Sequence, residues 1–304
     1  MNNEENFGLI RQSAGQATVQ RIPIPELRDG YILVRTVAIA LNPTDHTSLD
    51  AAGASGTLVG CDYAGVVVKV GKGVTRSFQA GDRIAGFAHG ANDAYPEGGA
   101  FARYIVVKGD LQLHIPDNVD FEAAASIGVA IGTRSIAMQL AAQLGYSVTT
   151  SCSAKHFDLL RERGAKLLYD YRAPSVGEDI RAATKNKLNI ACPREDVKSV
   201  SFLGYSMTGE RYVYEGEGIP AQPEDFVLGR QYMGIAEKLW AGGQLKMHPQ
   251  RVGSEGLYGA LAGMQEMREG KASGEKLVYR IEDTPWPEAD PSSGRNARDG
   301  KLLI

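Results

Sequence analysis

From Tyr146 to Arg172 the chain reads YSVTTSCSAKHFDLLRERGAKLLYDYR. A β-branched run ends near Cys152, a polar turn follows, FDLLRERGA forms a short helix closed by Gly164, and KLLYDY is a second strand. Two strands joined by a helix in so few residues point to a parallel pair with a crossover helix. The segment before them is amphipathic, with Ile136, Leu140 and Leu144 at i, i+4 and i+8, Ala137 and Ala141 alongside, and Gly145 placed to end the helix. GEDIRAATKNK is the next helix. LNIAC, EDVKSVSFLG and ERYVYEG continue the alternation, so a parallel sheet wrapped by helices is expected. One part is missing. Units of this kind normally begin with a buried strand and a G-x-G-x-x-G turn that approaches a pyrophosphate. Neither precedes the first helix.

The chain up to about Phe121 has another character. YILVRTVAIAL, YAGVVVKVGKGV, GDRIAGFA and AFARYIVVKGDLQLHIP are short strand-like runs separated by Gly, Pro and Asp turns, which predicts a small barrel or sandwich. Asp120 is placed to cap a helix, with Glu122 in its first turn. After the central part, GIAEKLWAGGQL predicts a helix with Ile235, Leu239 and Trp240 on one face. GLYGALAGMQEMREG predicts another helix, and KLVYRIE a last strand. The tail from Thr284, rich in Pro, Ser, Asp and Gly, is expected to be disordered.

Several function classes are excluded at this stage. The 304 residues are 43% apolar with a net charge of −3, which gives no general attraction to nucleic acid or to an acidic membrane surface. The N-terminus lacks the basic start and apolar run of a signal peptide, and no apolar run of about 18 residues is present for a membrane span. Cys61, Cys152 and Cys192 are isolated, which fits a reduced, cytoplasmic setting. With no C-x-x-C and no H-E-x-x-H, no metal site is expected.

Five stretches together carry a resemblance: ALNPTDH (40–46), GCDYAGVVVKVGKGVTRSFQAGDRIAGF (60–87), GGAFARYIVV (98–107), HFDLLRERGAKLLYDYR (156–172) and GKASGEKLVYRIE (270–282). They resemble the zinc-free, quinone-reductase-like branch of the medium-chain dehydrogenase/reductase superfamily. Within it, the chain is most similar to the stand-alone enoyl reductases that serve fungal polyketide synthases and hybrid polyketide–peptide synthases. The resemblance implies an α/β fold: a GroES-like β-barrel domain from residues 1–127 and 240–283, with a shortened Rossmann-like cofactor domain at 128–239 and a disordered tail at 284–304. It implies NADPH as cofactor and, as substrate, an enoyl thioester on the acyl carrier protein of a synthase. The protein would act as a monomer supplied in trans. A zinc-free quinone or enone reductase of free small molecules, and a docking partner without turnover, stand as alternatives.

Residue by residue, the resemblance places Thr44, Asp45, His46 and Thr47 at the nicotinamide end of the cofactor, although an Asn-Pro turn with a capping Asp would look the same. Relatives commonly carry a lysine where Thr47 stands, which leaves the proton donor open. Ser153, Ala154, Lys155 and His156 follow a strand where an NAD site would place an acid. A serine, a lysine and a histidine there suit a 2′-phosphate instead; the alternative is a helix cap beside a solvated lysine. Tyr171 matches a position beside the adenine, or is a packed strand tyrosine. Val278 and Tyr279 match the last cofactor segment. Thr133, Arg134 and Ser135 open a helix whose N–H groups could hold an anion. Gly128, Val129, Ala130 and Ile131, and then Val227, Leu228, Gly229, Arg230 and Gln231, match substrate-lining segments. Cys61, Cys152 and Cys192 read as small packed residues, and His89, His114 and His248 as structural or surface groups.

Overall fold

The computed structural model describes residues 5–132, 134–185, 204–214 and 216–286. Its strands are β1 (Asn6–Ser13), β2 (Gln16–Ile22), β3 (Tyr31–Ala40), β4 (Asp62–Val70), β5 (Arg83–Phe87), β6 (Tyr104–Lys108), β7 (Leu113–His114), β8 (Val148–Cys152), β9 (Ala165–Asp170), β10 (Tyr212–Tyr214), β11 (Glu217–Ile219), β12 (Gln250–Gly253) and β13 (Lys276–Arg280). The helices are α1 (Pro43–Asp50), α2 (Phe121–Ala125), α3 (Arg134–Gln143), α4 (Phe157–Glu162), α5 (Val176–Ala183), α6 (Pro223–Ala241) and α7 (Gly256–Arg268). The chain forms two compact units, Met1–Val129 with Tyr205–Ile304, and Ala130–Gly204. Compactness groups the chain from Tyr205 onward with the first unit. α6 and the ERYVYEG strand (β10) lie in the first unit, where β10 pairs antiparallel with β11 rather than extending a parallel sheet.

The first unit is built round β3. Its sheet runs β12-β13-β3-β4-β5-β7, and β6 pairs with the other part of β3. β1 and β2 form a separate hairpin, bridged to the rest at Gly8–Ala102 and Ile10–Leu58. Where a small barrel or sandwich was expected, the strands form a seven-stranded sheet with a hairpin beside it. β3 reads as an almost continuous apolar run because nearly every residue of it is buried. Its register positions the site: Ala40, the last residue of β3, lies opposite Asp62 on β4 and Val278 on β13.

Close backbone approach explains two glycines. Gly60 adopts φ +101°, and a Cβ there would lie 2.1 Å from the Phe101 ring. At Gly128 a Cβ would come within 2.2 Å of the Gly86 carbonyl oxygen. Asp120 caps α2 as expected, accepting the Ala123 N–H at 2.7 Å.

One helix face and the tail differ from expectation. On α6 the buried residues are Gly229, Met233, Ala236 and Trp240, whereas Ile235 is 56% exposed. The small residues let the helix approach its neighbours, a contribution that a hydrophobicity pattern does not register. The tail is docked at its start: Thr284 is buried, its hydroxyl accepts the Leu257 N–H at 3.1 Å, and the Trp286 ring lies 5.3 Å from that of Phe7.

In the second unit, β8 and β9 are parallel, with Cys152 opposite Asp170, and α4 crosses between them. Gly164, at φ +96°, ends the crossover as the sequence requires. Ile136 is buried on α3, but Leu144 just beyond it is 76% exposed, and so are parts of Tyr146, Leu167 and Tyr171. Two parallel strands, the only ones among the described residues of this unit, offer too little surface to cover the apolar faces that a wider sheet would bury. Thr133, Cys192 and the expected strands LNIAC and EDVKSVSFLG lie outside the described residues.

Candidate functional site

The first unit holds a buried polar cluster where α1 leaves β3. Asn42 caps α1, and its backbone N–H donates to Asp45 Oδ2 at 2.6 Å. Proline at the first helical position fits a turn whose N–H would otherwise be unpaired. Burial pushes the Asp45 carboxyl up to about 7, against the hydrogen bond from the Asn42 N–H and the nearby charge of Lys276. Its Oδ1 is buried without a hydrogen-bond partner.

Beneath this turn lies an ion pair that sequence reasoning did not single out. Lys276 Nζ donates to Asp62 Oδ2 at 2.8 Å and also to Asn42 Oδ1. The other Asp62 oxygen accepts the Val129 N–H at 2.6 Å. Asp62 is fully buried and Lys276 is 9% exposed. Two distant segments, the start of β13 and the point where the chain leaves the first unit, thus meet on the Asp62 carboxylate at the start of β4, and Lys276 ties the α1 turn to them. The signal was present as an acid inside the apolar run GCDYAGVVV and a lysine opening KLVYR, but only the β13-β3-β4 register brings them together.

Above the turn sits Tyr205. Its hydroxyl is 2.6 Å from Thr44 Oγ1 and 3.9 Å from Cys61 Sγ. Its ring stacks on His89 at 3.6 Å with an interplanar angle of 4°, and edges on Tyr212 at 6.1 Å. Burial pushes the Tyr205 phenol well above its ordinary range and lowers His89 to about 4, so both are neutral at pH 7. Burial also raises the Cys61 thiol, which suits the packed role expected of it. His89, expected to be structural, forms one wall of this aromatic group.

The remaining expected residues of the first unit fall on both sides of this cluster. His46 Nδ1 faces Asp50 at 3.6 Å, Asp50 pairs with Arg268 at 2.7 Å, and Thr47 is exposed. Gly128 and Val129 lie against Gly86 and Asp62. Val278 and Tyr279 are buried in β13 beside the end of β3. Val227–Gln231 do not form one lining. They are consecutive residues of α6, so they point round the helix: Val227 and Leu228 are exposed, Gly229 is buried, and Arg230 approaches Asp110 at 3.6 Å.

In the second unit, Ser153, Lys155, His156 and Tyr171 gather at the C-terminal ends of the parallel strands, the end at which open α/β sheets bind ligands. The Ser153 hydroxyl donates to Tyr171 Oη at 3.4 Å instead of capping a helix. Tyr171 is 57% exposed, and Lys155 is exposed. No acid directly follows β8; the polar groups there are the Ser153 hydroxyl, the Lys155 ammonium and the His156 imidazole. Ala130 and Ile131 are buried in a short 3-10 turn of the same unit, and Arg134 and Ser135 open α3. No group of three or more His, Cys, Asp or Glu residues among the described residues could hold a metal ion. No helix among them is long and apolar enough to cross a membrane.

Comparison with known proteins agrees with this architecture. Residues 28–117 match the alcohol dehydrogenase GroES-like domain family. The quinone oxidoreductase of Coxiella burnetii superposes with a TM-score of 0.61 at 19% identity, covering 91% of this chain and all of the other. The CurK enoyl reductase superposes at 0.66 and 15% identity, covering 91% and 99%. A GroES-like sheet unit joined to a Rossmann-like α/β unit defines a medium-chain dehydrogenase/reductase. Among curated proteins, the trans-enoyl reductase resD of Aspergillus sclerotiorum is 33% identical over 90% of this chain and 99% of its own length. ACTTS2 of Alternaria alternata, also named a trans-enoyl reductase, is 32% identical over 90% and 98%. The chain belongs to this trans-enoyl reductase family. The alignment with resD spans 354 positions, more than this chain's 304 residues, so resD carries stretches with no counterpart here.

Proposed function

We propose that the protein is an NADPH-dependent enoyl reductase that saturates an α,β-unsaturated thioester held by a polyketide synthase, acting in trans. The observation that carries this reading is the near full-length match to trans-enoyl reductases. The two donor sets support it. Ser153, Lys155 and His156 would hold the 2′-phosphate of the cofactor, with Tyr171 beside the adenine. The α1 turn, with Thr44 and Asp45, would face the nicotinamide, which when bound supplies the hydride. Tyr205 on Thr44, with neutral His89 stacked behind it, would put uncharged aromatic groups beside the reacting carbon. The Asp62–Lys276 pair fixes the turn from below.

The test is oxidation of NADPH by the purified, folded protein with a carrier-bound enoyl chain, against a free α,β-unsaturated ketone at equal concentration. Faster turnover of the carrier-bound chain supports the reading. Equal rates would move the assignment to a reductase of free small molecules. The absent glycine-rich turn favours a second reading, a docking partner without turnover, and a folded protein that fails to bind NADPH in a fluorescence titration would establish it. Lys155→Ala is expected to weaken NADPH about ten-fold or more while leaving NADH nearly unchanged, since a charge-assisted phosphate contact is lost. Equal losses for both cofactors would remove Lys155 from that role.

A further inference from the structure

A second pocket in the first unit has the make-up of an anion site. It is lined by Arg28, Tyr31, Asn92, Tyr95, Lys108 and Arg211, among others. The Arg28 guanidinium is held between two rings, 4.0 Å from the Tyr31 centroid and 4.7 Å from that of Tyr95. The rings hold its faces and leave its N–H edge unused, and its Nε is buried with no hydrogen-bond partner. Among the described residues, no carboxylate pairs with Arg28 or Arg211. The acid on the wall, Glu210, is already engaged: one oxygen accepts Lys108 Nζ and the other the Tyr31 hydroxyl, both at 2.6 Å. Asn92 is 4% exposed, and its Oδ1 accepts the N–H groups of Ala94 at 3.1 Å and Val213 at 3.2 Å. That turns its NH2 into the free end of the carboxamide. The pocket thus offers donors from two guanidinium groups and one amide, with three cations against one anion, beside the Tyr31 and Tyr95 rings.

From this arrangement we infer that the pocket binds a phosphate ester. Donors converging from three side chains suit a tetrahedral group with several acceptor oxygens better than a planar carboxylate, and a guanidinium fork is the usual partner of such oxygens. The ester is the phosphate of the pantetheine arm that carries the acyl chain. This deepens the proposed function and rests on it for the source of the phosphate. His89 supports the connection, because it lines this pocket and also stacks on Tyr205, whose hydroxyl touches Thr44. An arm entering here would lead its thioester toward the α1 turn.

The experiment is calorimetric titration of the full-length, folded protein with pantetheine 4′-phosphate, pantetheine, inorganic phosphate and adenosine 2′-phosphate. The expected result is saturable binding of pantetheine 4′-phosphate, about ten-fold tighter than pantetheine or inorganic phosphate. Arg28→Gln and the exposed Arg211→Gln should each lose most of that preference, and the second does not threaten folding. Equal affinity for pantetheine with and without its phosphate would overturn the inference, as would an unchanged Arg211→Gln. Equally tight inorganic phosphate would overturn the carrier-arm assignment. So would competition by adenosine 2′-phosphate, which would give the pocket to the cofactor. The readout needs no NADPH turnover, so an inactive protein that still prefers pantetheine 4′-phosphate would refute the reductase reading alone.

Discussion

Replacing Lys276 with methionine is expected to destabilise the protein by about 3–5 kcal/mol, the usual cost of leaving a buried charge without its partner. Methionine keeps much of the side-chain volume, so the loss is electrostatic. Asp62, fully buried, would retain only the Val129 N–H as a donor, and Asn42 Oδ1 would lose its ammonium. The Asp45 carboxyl would rise further, because Lys276 is one of the groups now lowering it. The double variant Asp62→Asn with Lys276→Met removes both charges and should recover much of the loss, since replacing both members of a buried pair is far cheaper than replacing one. Urea unfolding of the wild type, both single variants and the double variant closes a thermodynamic cycle. If the double variant loses as much as the two single losses added together, the pair is not coupled and this account of the site fails.

Asp45→Asn is expected to stabilise the protein at neutral pH and above, and the gain should disappear in acid. The folded carboxyl titrates near 7 and the ordinary value is 3.8, so the folded state holds the proton more tightly. The resulting stability is fully present below pH 3.8, falls as pH rises, and is gone above about 7. A shift of that size corresponds to about 4 kcal/mol for a group buried as Asp45 is. Asparagine carries no charge to bury, and its carbonyl oxygen can still accept the Asn42 N–H. The difference in unfolding free energy between variant and wild type should therefore widen between pH 4 and 7 and level off above. Other carboxyls complicate the wild-type curve alone: Asp50, Glu122 and Glu237 are held low by cationic partners, so their stabilisation is lost as pH falls. The difference curve cancels them. A gap that does not change with pH would show that Asp45 is ionised in the folded protein throughout the range.

Both predictions concern residues whose importance comes from the way distant segments meet. Asp45 was marked from the sequence because it stands in the NPTD turn, whereas Asp62 and Lys276 were not. An acid in an apolar strand and a lysine at a strand start are each unremarkable alone, and their positions are more than two hundred residues apart. Tyr205 was missed for the same reason. It follows a stretch read as part of the central α/β alternation, yet it packs in the first unit against Thr44 and His89. For α6, the sequence suggested Ile235 as an inward residue because it is apolar, while the structure buries Gly229 and Ala236, where small size permits contact.

What the sequence by itself determined was local or carried by short blocks. The Asp120 cap, the Gly164 stop, the strand–helix–strand order of residues 148–170 and the resemblance to the medium-chain dehydrogenase/reductases all rest on residues within a few positions of one another. These follow from backbone preferences and periodicity, which act over one or two turns. Tertiary structure decided the rest: the order of the strands round β3, the docking of Thr284 and Trp286, the exposed helix end at Leu144, and the convergence of Asn42, Asp62 and Lys276. Each depends on which strand lies beside β3 and on how much of the second sheet remains to cover its helices. Charge burial and close packing act through space, and the chain's linear order does not record those distances.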